Sequence, residues 1–325
     1  MTAYTTKHHD VLLEAVENTD LGGIAMPRRW SRVPLVIDHK SYPCYHAPAA
    51  GAHSVIGLCT GFKSSPVLLQ NTVKKLNRMG FDVVGIALPD VGKSCDFMDE
   101  YQQLVETFFF SKNSPLYEEN PELPRVALTH SLGGLLFLGE MQDIGKSIMA
   151  ETLLKGAIHV SPFLDLSGYS KKFNRVGSAL FTLYSHFNRD KDTPVSTATK
   201  ARINLEPPTN GQVQAFVAQG RRVIAQAETN LRHDIQPRLR QTFLLGALDG
   251  RACPRTTEYF ADVVGGKVMI LDAGHNPMTD EKCKGFELVA NTALNYVNVD
   301  EDKAPMSAAQ ASLNIEPVSP YAALA

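Results

Sequence analysis

The stretch Arg125-Val-Ala-Leu-Thr-His-Ser-Leu-Gly-Gly134 constrains the fold more than any other part of the chain. Residues 126–128 are a short apolar run that reads as a strand. It breaks into Thr129-His130-Ser131-Leu132-Gly133-Gly134 and resumes as Leu135-Leu136-Phe137-Leu138, which has helical character. A strand that enters a helix through so short a turn forces its middle residue into a strained backbone conformation. Small neighbours then keep the helix from colliding with the strand. A serine at that point carries its hydroxyl clear of the backbone. The helix behind it aims free N–H groups at whatever the serine attacks. The segment therefore predicts a strand–turn–helix unit that presents Ser131 as a nucleophile and points to hydrolysis; taken alone it reads equally as the ordinary helix cap that most such serines form.

The rest of the chain supplies a sheet for that unit. Residues 33–38 and 41–46 read as a strand pair joined by a short turn. Residues 54–59, 81–87, 125–129, 156–160, 241–245 and 267–271 read as further strands. Helical spacing over 66–79 (Val67, Leu68, Val73, Leu76, Met79) ends at Gly80, a good C-terminal cap, and helices are also predicted over 256–264 and 282–296. The strand runs are continuous in apolar residues rather than alternating. That pattern predicts an α/β class with a mostly parallel sheet covered on both faces.

Residues 163–240 break the rhythm, with no convincing strand but helical patterns over 176–187 and 211–228. They read as a helical cap inserted into a core made of 1–162 and 241–300. The insertion holds twelve Lys or Arg against six Asp or Glu, a net of +6 in a chain of net −2. Peripheral contact with anionic lipid surfaces, or anionic acyl substrates, would suit that charge. Residues 301–325 are rich in Ala, Pro and Ser without periodicity and read as a loosely ordered tail.

Composition excludes several classes. A net charge of −2 gives no general case for nucleic-acid binding. Five cysteines without CxxC spacing argue against a disulfide framework or zinc site and fit a reducing compartment; Cys59 and Cys95 read as small buried apolar residues. No apolar run suits a secretory signal, and none reaches the roughly 18 to 20 residues of a membrane span, so the expected location is cytoplasmic. Oligomeric state is not legible.

A serine hydroxyl needs a base to take its proton, and that base needs an acid to orient it. In one class of serine hydrolases the acid and then the histidine follow the serine in the chain. Asp249 lies just beyond the strand at 241–245, and His275 lies just beyond the strand at 267–271. Both are at carboxyl ends of strands, where open parallel sheets place their sites. Acyl transfer also needs two donors for the oxyanion. The backbone N–H of Leu132 is one, and that of Phe62, in the Thr60-Gly61-Phe62 loop after the strand at 54–59, is the other. Gly61 and His130 are placed beside the substrate, His130 as a packed neighbour of the turn rather than a second base. Ala87-Leu-Pro-Asp-Val-Gly-Lys-Ser94 has the loose form of a phosphate-binding loop. Ala87 replaces its first glycine, Pro89 has no N–H, and Asp90 would repel phosphate, so nucleotide binding is disfavoured.

Five pieces together, Thr60-Gly-Phe62, Leu88-Pro-Asp-Val-Gly-Lys-Ser94, the turn at Ser131, Gly246-Ala-Leu-Asp249 and Ala273-Gly-His275, resemble the α/β-hydrolase superfamily. Within it they are similar to the capped lysophospholipase and monoacylglycerol-lipase-like (serine aminopeptidase-like) hydrolases. The resemblance spans about residues 33–297 and implies an α/β-hydrolase fold with a cap. It also implies cleavage of a small acyl ester or lipid through an acyl-enzyme, with no metal and no organic cofactor. Thr129, Thr60 and Ala87 depart from the family pattern, at the first glycine of the turn, the oxyanion-loop histidine and the aspartate after the fourth strand. A non-catalytic binding protein on the same scaffold is the alternative those departures favour, and the Ser, Asp, His order opposes it.

Overall fold

A computed structural model describes residues 30–118, 120–166, 208–280 and 282–298. The helix expected over 176–187, most of the 163–240 insertion and the tail from 301 lie outside them. β1 (Ser31–Ile37) and β2 (Lys40–Ala47) form an antiparallel hairpin whose two turn residues, Asp38 and His39, both have positive φ (46° and 66°), as a tight two-residue turn requires. Then come β3 (Ser54–Cys59), a 3-10 turn (Pro66–Leu69), α1 (Gln70–Arg78), β4 (Phe81–Ile86), α2 (Met98–Phe110), α3 (Pro115–Glu118) and β5 (Arg125–His130). The chain continues through α4 (Leu132–Glu140), α5 (Ile144–Leu153), β6 (Gly156–Val160), α6 (Asn210–Arg232), β7 (Gln241–Gly246), α7 (Pro254–Val263), β8 (Lys267–Leu271) and α8 (Gly285–Asn298).

These strands make one sheet in the order β1-β2-β4-β3-β5-β6-β7-β8, parallel from β4 to β8. Strands β3 to β7 are buried along their whole length, which is why their sequences read as largely apolar rather than alternating. The edge strand β8 is half exposed. Alternate residues feed two cores. Val55, Ala127, Ala157 and Phe243 join side chains of α2, α4, α6 and α7, whereas Ile56, Val126, Ile158 and Leu244 join those of α1 and α8.

Every strand expected from sequence is present, but α2, α3 and α5 are not among the helices expected from sequence. In α5 the apolar pattern points the wrong way: Ile144, Ile148 and Met149 are 50%, 59% and 45% exposed while Ser147 and Ala150 are buried. Periodicity cannot find a helix whose buried stripe is its small residues. Cys95, expected to be buried, is only half-buried.

The helix expected over 211–228 is α6, capped reciprocally by Thr209 and Gln212. It packs on α4 and α7 and adds Phe216, Val223 and Ala227 to the first core. The Gln212 amide also donates to the carbonyls of Gly92 (2.8 Å) and Ser94 (2.9 Å), and Asp90 accepts the Gly92 N–H (3.0 Å). The loop after β4 is thus tied to α6, and the next helix begins only at Met98. It is a latch between elements rather than a phosphate cradle.

Arg125 secures the entry to β5. Its buried guanidinium donates to five carbonyls, those of Leu116 (2.9 Å), Leu123 (2.5 Å), Asn120 (2.9 Å), Pro121 (3.2 Å) and Tyr117 (3.5 Å), and lies over the Tyr117 ring. Burial pulls its pKa below the ordinary arginine value. Arg125→Met would strand those acceptors and should destabilise the fold by about 3 kcal/mol, read as a lower urea midpoint at unchanged slope.

Candidate active site

Ser131 closes β5 and caps α4 with φ 55° and ψ −120°, a conformation that side chains other than hydrogen resist. Four hydrogen bonds hold it there. Its N–H donates to Val160 (3.1 Å), and its carbonyl accepts from Gly134 (3.0 Å), Leu135 (3.2 Å) and Phe163 (3.0 Å). The helix behind it lies hard against its neighbours. A Cβ on Gly133 would stand 2.6 Å from the Thr60 carbonyl, and one on Gly134 would stand 2.7 Å from Pro162. These are the small residues the sequence called for.

Thr129 fits that crowded turn because its hydroxyl has a partner. It bonds Nδ1 of His159 at 2.8 Å, and Nε2 of His159 lies 3.2 Å from the Gln241 carbonyl oxygen. Burial drives the His159 pKa down to about 3. The ring is therefore neutral, donating to Gln241 from Nε2 and accepting from Thr129 at Nδ1. This chain across β5, β6 and β7 went unnoticed in the sequence. The signal was there: a histidine inside the apolar run of β6 has to find partners.

The three residues expected to form a proton relay come together. Nε2 of His275 lies 2.9 Å from Ser131 Oγ, and its Nδ1 lies 2.8 Å from Asp249 Oδ2. The loops that carry Asp249 and His275 follow the neighbouring parallel strands β7 and β8. Backbone bonds from Ala247 to Leu271 (2.7 Å) and Leu248 to Ala273 (2.9 Å) zip them together. A Cβ on Gly246 would fall 2.0 Å from the Gly274 carbonyl, so only glycine lets the loops meet. Oδ1 of Asp249 accepts the N–H groups of Arg251 (2.7 Å) and Ala252 (3.0 Å). Burial by itself would raise the Asp249 pKa, but the bond and charge of His275 and these two amides outweigh it and hold the carboxyl below its usual range.

The loop after β3 lies directly against the serine, since a Cβ on Gly61 would stand 2.9 Å from Ser131 Cβ and 3.3 Å from its Oγ. Thr60 holds this loop: its hydroxyl donates to the Ser64 carbonyl (3.0 Å) while the Ser64 N–H donates to Gly61 (3.2 Å). Among the described residues the Phe62 and Leu132 amides have no protein acceptor. His130 packs behind the relay, its ring 5.0 Å from that of His275 and its Nε2 3.3 Å from the His275 carbonyl. Burial, aided by the nearby His275, lowers its pKa to about 3, so it donates as a neutral ring. No group of His, Cys, Asp or Glu suited to a metal ion occurs among the described residues, and no described helix is long and apolar enough to cross a membrane.

No family model and no curated protein matches the sequence. Solved structures do match the fold. A soluble variant of monoglyceride lipase from Saccharomyces cerevisiae is 16% identical, with 84% of this chain and 96% of that one covered at a TM-score of 0.60. Monoacylglycerol lipase from Paleococcus ferrophilus is 16% identical, covering 78% and 99% at 0.54, and a carboxyl esterase from Bacillus coagulans 12% identical, covering 84% and 99% at 0.53. The sheet order and these likenesses establish an α/β-hydrolase fold.

Two neutral buried histidines make stability depend on pH. The pKa values of His130 and His159 are about 3 when folded, against an ordinary 6.5. Below pH 6.5 the unfolded chain binds protons that the folded chain refuses, so stability falls as pH drops from there toward 3. Each should remove about 1.5 kcal/mol between pH 6.5 and pH 5. Urea unfolding of His130→Asn at both pH values should show that much less pH dependence than wild type.

Proposed function

We propose that this chain is a serine hydrolase of carboxylic esters acting through an acyl-enzyme. The observation that carries the reading is the unbroken hydrogen-bonded chain from Ser131 Oγ through His275 to Asp249, with distances of 2.9 and 2.8 Å. The lipases and the esterase among the structural neighbours support esters as the substrate class.

In this mechanism the Ser131 hydroxyl donates to neutral His275 Nε2, which takes the proton as Oγ attacks the ester carbonyl. Imidazolium then forms beside the ionised Asp249, whose charge stabilises it and whose Oδ2 keeps Nδ1 as the donor. Developing charge on the carbonyl oxygen falls to the Phe62 and Leu132 amides, the latter at the positive end of α4. Collapse expels the alcohol with the proton from Nε2. Water activated by the same nitrogen then releases the acid from Ser131. Each step uses groups of this chain and needs no cofactor. His130 steadies the His275 backbone, and Gly61 keeps the space beside Oγ open. The net positive charge of 163–240 supports ester substrates that carry an anionic group.

Hydrolysis of p-nitrophenyl esters by wild type and Ser131→Ala tests the reading. Turnover should fall about 10⁴-fold or more in the variant, and a fluorophosphonate probe should label wild type only. A folded wild type that neither turns over esters nor takes the probe would sink the proposal in favour of a binding protein. Gly61→Ala should reduce kcat about 100-fold, because the added methyl pushes the oxyanion loop off Ser131.

A further inference from the structure

Four aromatic rings gather next to the nucleophile. Phe62, which carries one of the proposed oxyanion amides, lies 5.1 Å from Phe216 and 6.1 Å from Phe97, and Phe97 lies 5.7 Å from Phe216. Phe163, whose N–H bonds the Ser131 carbonyl at 3.0 Å, is 5.8 Å from Phe216. Phe216 thus touches the loop on each side of the serine. It is 4% exposed, and Phe97 is 2% exposed, whereas Phe62 remains partly open.

The strand order says which part of a substrate meets these rings. His275 and Asp249 follow β8 and β7, on one side of β5, whereas Phe62 and Phe97 follow β3 and β4, on the other. A general acid has to reach the departing oxygen, so the alcohol lies on the His275 side. The acyl group then points away from His275, toward Phe62 and Phe97, where the Phe216 ring already occupies the space between them.

Resting on the ester-hydrolase reading, we infer that Phe216 sets acyl length and that the enzyme prefers esters of short acids, acetyl to butyryl. A longer acyl chain would have to displace a ring packed on three others, and protein interiors resist such intrusion. Replacing Phe216 by a smaller side chain removes the plug and leaves an apolar channel.

The test compares p-nitrophenyl acetate, butyrate, octanoate and palmitate with wild type, Phe216→Leu and Phe216→Ala. In wild type kcat/KM should drop about ten-fold or more from butyrate to octanoate, within the discrimination a filled apolar pocket delivers. Either variant should raise the octanoate-to-butyrate ratio about ten-fold; Phe216→Leu keeps an apolar side chain at the site should Phe216→Ala not fold. An active, Ser131-dependent enzyme that prefers octanoate or palmitate overturns the inference and leaves the hydrolase reading standing. A folded variant with an unchanged ratio also overturns it. Loss of turnover on all four esters, with no fluorophosphonate labelling, overturns the hydrolase reading and this inference together.

Discussion

Everything near the site depends on one close approach, that of α4 to the end of β5. With Gly133 against the Thr60 carbonyl and Gly134 against Pro162, the helix can start only if the chain turns through a positive φ at Ser131. That conformation costs on the order of 1–3 kcal/mol and survives because surrounding groups determine it more than once. Val160 holds the Ser131 N–H and Phe163 holds its carbonyl, so β6 and the loop after it fix the serine from outside its own strand. The strain leaves Oγ projecting toward the loop that brings His275, and places the first amide of α4 beside it.

Beneath this turn the molecule keeps polar groups where apolar ones would pack more simply. Thr129, His159 and Gln241 run across three strands, and His130 bridges to the His275 backbone. Both histidines stay uncharged because burial penalises the imidazolium more than their hydrogen bonds and neighbouring charges favour it. Asp249 is the opposite case. It is equally enclosed, yet two amides and a histidine make its charged form the better one.

How far the sequence could be read varied with the kind of interaction. Strands β3 to β7 were legible because burial on both faces makes each largely apolar rather than alternating. Ser131, Asp249 and His275 were legible because each follows a strand at its carboxyl end, and a parallel sheet gathers those ends on one edge. Helix α5 was not, since its buried face is Ser147 and Ala150 rather than a hydrophobic stripe. The support that Thr60 gives the loop after β3 was also hidden: its hydroxyl bonds a carbonyl four residues on, and no residue type announces that.

The amino-acid order by itself determined the parallel sheet, the strained turn and the strand ends that carry Ser131, Asp249 and His275, because periodicity and glycine placement are local and survive without long-range knowledge. Only the tertiary structure decided that Thr129 would be satisfied by His159, that the loop after β4 would be latched by Gln212, and that Phe216 would sit between Phe62 and Phe97. Those pairs lie 30 to 154 residues apart in sequence. Their contact depends on strand order and on how helices settle over the sheet, and neither is written in any one segment.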